Sequence, residues 1–199
     1  MSDAIVLASG SAIRASMLRQ AGLEIETVPA RLDESAVKAS MEADGTPPRD
    51  LADALAEMKA RKVSDRMPGR LVLGCDQVLA HEGSMLSKPR SLEEARDQVQ
   101  RLRGTSHRLL SAAVACRDGR PLWRHVGEAR LVMREFSDQY LADYVARNWP
   151  GLGESVGGYK LEEEGVRLFS AIEGDHFSIL GLPLLPLLSW LTVAGEIEG

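Results

Sequence analysis

Ser9-Gly10-Ser11-Ala12-Ile13-Arg14 follows the apolar run Ala4-Ile5-Val6-Leu7-Ala8. A buried strand that ends in Ser-Gly-Ser where a helix begins offers unpaired backbone N–H groups, hydroxyls and the positive end of the helix dipole. That combination suits a phosphate. Helical side chains lean toward the N-terminus, so the guanidinium of Arg14, in the first turn, can reach the same place. Taken alone, the segment reads more readily as an ordinary N-cap with a solvated arginine, and other residues must decide.

Asp76 directly follows the apolar strand Leu71-Val72-Leu73-Gly74-Cys75. A carboxylate at the C-terminal end of a buried strand can hold a metal ion or take a proton from water, and a turn-forming or capping aspartate fits equally well. Asp33-Glu34 reads by itself as a solvated acidic pair in a loop. Two carboxylate sources converging on one hard cation would match how Mg²⁺ is held, by few protein oxygens plus the phosphates of a substrate. Lys59 and Lys88 are individually ordinary surface lysines. His81, His107, His125 and His176 have no zinc-ligand spacing, and no P-loop, GxSxG or GxGxxG motif is present.

The elements that must position these residues alternate between strand and helix. Ile13, Met17, Leu18 and Ala21 fall at helical spacing, with Gly22 as the closing residue, and residues 24–29 suit a second strand. A long helix follows Pro47-Pro48 to about Arg66, and Ser91-Leu92-Glu93-Glu94 opens another by a capping box. Residues 107–117 and 121–133 alternate as strands around Asp118-Gly119, a hairpin turn signal, and a helix over 137–148 stops at Pro150-Gly151. Residues 179–193 read as a buried strand end, a turn and a C-terminal helix. The pattern predicts an α/β fold with a mixed, twisted sheet flanked by helices, whose strand-to-helix corners are where ligand sites form.

Composition narrows the partners. The 199 residues, 44% hydrophobic and 27% charged, suit one domain of two lobes sharing a core, spanning 1–199. With 24 Lys+Arg against 29 Asp+Glu, the net charge of −5 provides no diffuse basic field for nucleic acid or an anionic membrane. Any polyanion must then be met by a few local cations or by a bound metal ion. Cys75 and Cys116 are far apart and form no CxxC pair, so a reducing cytoplasm is expected. Met1-Ser2-Asp3-Ala4 has no basic n-region, and the most apolar stretch, broken by Pro183 and Pro186, falls short of the ~20 residues a bilayer crossing needs.

Read together and in order, these segments resemble the Maf family of nucleotide pyrophosphatases, over nearly the whole chain. Leu7-Ala8-Ser9-Gly10-Ser11-Ala12-Ile13-Arg14 is similar to the family's opening LASxSPxR, and Leu32-Asp33-Glu34-Ser35 to its DE segment. Leu55-Ala56-Glu57-Met58-Lys59-Ala60 resembles its LAxxKA helix, Gly74-Cys75-Asp76-Gln77-Val78 its GSDxV strand and Ser87-Lys88-Pro89 its GKP. Arg103-Gly104-Thr105-Ser106-His107, Gly157-Gly158-Tyr159, Ile172-Glu173-Gly174 and Gly181-Leu182-Pro183-Leu184 fit later segments. The resemblance implies a two-lobed α/β fold similar to inosine triphosphate pyrophosphatases, with a nucleotide cleft between lobes. It implies cleavage of a nucleoside triphosphate to monophosphate and pyrophosphate with a divalent cation, Mg²⁺, Mn²⁺ or Co²⁺, and allows a homodimer. Carried over by position, Ser9, Ser11, Arg14, Lys59 and Lys88 would hold the triphosphate. Asp76 would activate water or ligate the metal, and Glu34 would help hold it.

The same resemblance bears on the base. The family's pyrimidine branch, acting on dTTP and UTP, carries Arg, Thr and Gln at the positions of Ile13, Gln77 and Glu162, and its 7-methyl-GTP branch carries Trp, Gln and Glu. Gln77 and Glu162 therefore lean to a guanine-type base, because a carboxylate accepts from guanine's adjacent N–H donors and repels the carbonyls of uracil or thymine. Ile13 lacks the aromatic face that would stack on a cationic methylated base. A dTTP/UTP or broad-specificity pyrophosphatase is the alternative within the class, and a nucleotide-sensing regulator of cell division without turnover is the alternative outside it.

Overall fold

The apolar run near the start becomes a strand because parallel neighbours bury it. In the computed structural model, which describes residues 4–198, β1 (Ile5–Leu7) pairs parallel with β2 (Ile25–Thr27), and α1 (Ala12–Gln20) lies between them in the chain. Two further helices, α2 (Glu34–Ala43) and α3 (Pro48–Ser64), lead to β3 (Val72–His81), which pairs parallel with β1 along its other edge. Strands buried in this way read as continuous apolar runs, as β1 does. The leader expectation rests partly on residues 1–3, which lie outside the described residues.

Next come β4 (Ser84–Leu86), antiparallel to β3, and α4 (Leu92–Leu102), whose N-cap Ser91 Oγ accepts from Glu94 N as the capping-box reading requires. The strands β5 (Ser106–Arg117) and β6 (Arg120–Met133) flank Asp118-Gly119, and both of these residues have positive φ. A two-residue turn of that kind matches the twist of the strands it joins. The helix α5 (Asp138–Asn148), three short 3-10 turns, β7 (Phe169–Gly174), α6 (His176–Ile179) and α7 (Leu184–Val193) complete the chain. The result is a seven-stranded mixed sheet in the order β2-β1-β3-β5-β6-β7, with β4 on β3, flanked by helices. The predicted fold class holds.

The chain divides into two compact units. One comprises the chain up to Asp76, residues 111–127 and the chain from Gly181; the other comprises residues 77–110 and 128–180. In the first, Val6, Ala8, Ala30, Val63 and Val72 form a buried cluster. Here Gly74 on β3 allows α3 to lie directly on the strand: a Cβ at this position would come within 2.1 Å of Ala56 O and 2.6 Å of Ala60 N. A glycine inside an apolar strand commonly marks such a close approach. In the second unit, Leu79, Val99, Leu102, Leu131, Tyr144 and Phe169 belong to the main core, built from α4, α5 and the sheet.

Three expectations are corrected. The strand read as ending before Asp76 continues through Asp76-Gln77 to His81, so Asp76 lies within β3. Asp33-Glu34 is not an acidic pair in a loop: Asp33 caps α2 by accepting from Ala36 N, and Glu34 is the first helical residue. Residues 179–193 contain no strand end; α6 and α7 occupy the region, and the strand before them is β7. Among the described residues no helix is long and apolar enough to cross a membrane.

Candidate active site

Three elements of the first unit bring charged side chains together: the β1–α1 corner, α3 and the middle of β3. At the corner, Ser11 caps α1 and Ser9 is buried. Arg14 Nη1 donates to Ser9 Oγ at 3.1 Å and to Cys75 O at 3.2 Å, and its Nε donates to Gly181 O at 2.7 Å. The guanidinium therefore leans back over the corner, as its place in the first turn predicts, and is fixed there by two carbonyls and a hydroxyl. One of those carbonyls belongs to the residue before Asp76.

Lys59 lies on the buried face of α3 among Leu55, Ala56, Ala60 and Val63. Its Nζ donates to Asp76 Oδ1 at 2.6 Å and pairs with Glu34 Oε1 at 3.0 Å. Lys59 and Asp76 are only 7% and 4% exposed. Removing two ions from water costs several kcal/mol each, and their attraction offsets that only when every lone pair is used. Here one is not: Asp76 Oδ2 is buried without a hydrogen-bond partner. An unsatisfied buried oxygen costs about 1–3 kcal/mol. A charged cluster that leaves such a group open is better explained by a ligand than by stability.

The neighbouring thiol is quiet. Cys75 is fully buried, and burial pushes its pKa up to about 11 against the lowering effect of Arg14 and Lys59, so it stays protonated and is no nucleophile. Among the described residues no three His, Cys, Asp or Glu side chains are grouped to cage a metal ion. Glu34 and Asp76 offer two hard carboxylate sources on one ammonium, a set that fits a cation holding few protein oxygens and completed by phosphate.

The other predicted site residues lie on different elements. Ile13 sits half-buried on α1. Gln77 belongs to the second unit, where its Nε2 donates to Ser178 O at 3.3 Å and Ile179 O at 2.9 Å. Its amide thus fastens β3 to α6, a structural task that spacing in the sequence does not reveal. Lys88 is exposed in the segment after β4, which Gln98 Nε2 ties down through Ser87 O.

Glu162 is exposed, and its two neighbours are engaged. Glu163 pairs with Lys160, and Glu164 pairs with Arg147 and Arg167. These bridges hold the pKa of Glu164 below the carboxylate norm, with Arg147 the largest cause. Of the three consecutive glutamates, Glu162 alone has no ion pair among the described residues, which singles it out in the register.

Sequence reasoning missed two contributors. The carbonyls of Cys75 and Gly181 orient Arg14, and backbone acceptors leave no trace in residue type. Gly74 brings α3 against β3, and its place inside an apolar strand was the available signal.

The arrangement can grip an anion and present a carboxylate to water. The sequence profile of the Maf family, described as Maf-like protein, matches residues 4–194. The chain belongs to the Maf family. A nucleoside triphosphate pyrophosphatase of Ruegeria sp. (strain TM1040) is 58% identical over 198 residues, covering 100% of both chains. One of the same name from Caulobacter vibrioides is 51% identical over 193 residues, 97% of this Maf chain and 96% of the relative. A 7-methyl-GTP pyrophosphatase of Mesorhizobium japonicum is 48% identical over 199 residues, 100% of both. The resemblance drawn from the motifs is thereby established as membership of the Maf family.

Proposed function

We propose that this Maf protein is an enzyme that hydrolyses nucleoside triphosphates to the monophosphate and pyrophosphate. The observation that carries the reading is the buried Lys59–Asp76 pair with Asp76 Oδ2 left open, beside an arginine locked over the helix corner. Its names among full-length relatives agree. In an acidic protein a triphosphate can be accepted only where cations converge. Arg14 and Lys59 supply them, with Ser9, Ser11 and the N–H groups of the α1 corner, and Lys88 is assigned to the same polyphosphate by its place in the family motif. The same cations stabilise the charge that develops on departing pyrophosphate. Asp76 takes the proton of the attacking water, and no covalent intermediate is formed. A divalent cation, Mg²⁺, Mn²⁺ or Co²⁺, would be held by Glu34 and Asp76, and when bound it supplies charge neutralisation at the phosphates.

The base assigned to the site is guanine-type. Glu162, whose neighbours are committed to ion pairs, accepts from the guanine edge, and Gln77 supports the same choice. The names of two relatives include 7-methyl-GTP, whereas Ile13 offers no stacking face for a methylated base. A cytoplasmic, homodimeric enzyme acting through one functional domain completes the reading. The test is a panel of 7-methyl-GTP, GTP, UTP and dTTP scored for pyrophosphate release with Mg²⁺ and Mn²⁺. Guanine nucleotides are expected to lead, and a preference for UTP and dTTP would replace this base assignment by the pyrimidine one. Binding of nucleotides with no turnover of any would favour the sensor instead.

A further inference from the structure

Glu34 and Asp76 face one ammonium: Lys59 Nζ lies 3.0 Å from Glu34 Oε1 and 2.6 Å from Asp76 Oδ1. These two carboxylates are its only ion-pair partners among the described residues. A divalent cation taking the same oxygens would sit against a positive charge inside a largely buried cluster, where water screens the repulsion poorly. Lys59 cannot simply swing into solvent, because its stem lies on the buried face of α3. Arg14, the other cation of the corner, is held on Ser9, Cys75 and Gly181 and offers it no counter-charge.

From this geometry we propose that Lys59 occupies the place of the metal in the unliganded protein. The divalent cation and the lysine exclude each other, and the cation is taken up only when a polyphosphate gives Lys59 another anion to bind. The charges support this. With Lys59 in place the triad carries one net negative charge, which attracts a divalent ion weakly. With Lys59 withdrawn it carries two, which match the ion. Metal uptake is therefore coupled to substrate, and a metal-loaded site without substrate, open to futile water activation, is avoided. The coupling rests on the reading of Glu34 and Asp76 as the metal carboxylates.

The test measures binding of Mn²⁺ alone, with no nucleotide, to the full chain by electron paramagnetic resonance of free Mn²⁺ and by titration calorimetry. Wild type should bind weakly. Lys59→Met, of similar shape and no charge, should bind at least about tenfold more tightly, because the competing charge is gone. Lys59→Gln should fall on the same side of wild type, which keeps the comparison alive if one variant folds poorly. Mn²⁺ should also raise the melting temperature of Lys59→Met more than that of wild type. Adding Asp76→Asn to Lys59→Met should remove the gain. Equal Mn²⁺ affinity in wild type and both lysine variants would overturn the proposal, as would a gain that survives Asp76→Asn. Pyrophosphate release by the wild-type preparation is read separately. Its absence would count against the proposed reaction, while the metal comparison would still be decided by its own titrations.

Discussion

The two units treat their assigned functional residues differently. In the first, Arg14, Lys59 and Asp76 are fastened to one another's elements by short polar contacts, and Lys59 and Asp76 are almost wholly buried. In the second, Lys88 and Glu162 are exposed on connecting segments, while the rigid polar contacts, His107 with Tyr159 and Gln77 with the α6 backbone, serve its interior. The contrast follows a division of labour. A phosphate grip and a water-activating carboxylate must be held to fractions of an ångström whatever the base, and burial does that. Residues that choose a base can sit on exposed segments, where substitution disturbs little else.

The largest effect should come from the buried side of that comparison. Asp76→Asn keeps the shape but loses the proton acceptor, and turnover should fall at least about 10²-fold. Circular dichroism should show the fold retained. A folded variant with near-wild-type pyrophosphate release would remove Asp76 from the chemistry and make the cluster a structural ion pair.

The second unit should carry an acid-sensitive stability of its own. His107 Nε2 lies 2.7 Å from Tyr159 OH, and its Nδ1 is buried without a partner. Burial, with a smaller contribution from nearby His81, holds the pKa of His107 down at about 4, against an ordinary 6.5. The unfolded chain therefore binds this proton at a higher pH than the folded one. The contribution is complete above pH 6.5 and is lost progressively as the pH falls toward 4. The gap corresponds to at most about 3 kcal/mol. Urea midpoints at neutral pH and at pH 5 should differ in wild type, and the difference should shrink in His107→Gln. An unchanged slope would mean that His107 is protonated, or solvated, in the folded state.

The smallest expected effect is on the exposed side. Glu162→Gln replaces a pure acceptor by a group that also donates, and should shift the activity ratio toward UTP and dTTP by roughly tenfold. Glu163→Gln and Glu164→Gln should leave the ratio alone, since both side chains are held by basic partners. A ratio that moves with Glu163 or Glu164 but not with Glu162 would shift the register of the assignment.

Much of this was legible in the sequence. The capping box of α4, the Asp118-Gly119 turn and the apolar β1 are local signals, and each formed the element it specifies. Helix α2 was not read because none of its residues is fully buried and its apolar positions lack a clear stripe; its Asp33 cap is the main local signal. Asp76 looked like the end of a strand because a lone carboxylate should not continue inside a sheet. Lys59, seventeen residues earlier, makes that possible, and hydropathy along one strand cannot register a counter-ion from another element. The register of Glu162 was equally invisible, since identical neighbours are told apart only by which cations reach them.

The central claim is tested most directly by the products themselves. Phosphorus NMR of GTP incubated with the protein and Mg²⁺ should show inorganic pyrophosphate and the nucleoside monophosphate rising together, with Asp76→Asn silent under the same conditions. Orthophosphate and the diphosphate appearing instead, or GTP and the rest of the panel remaining intact, would contradict the account.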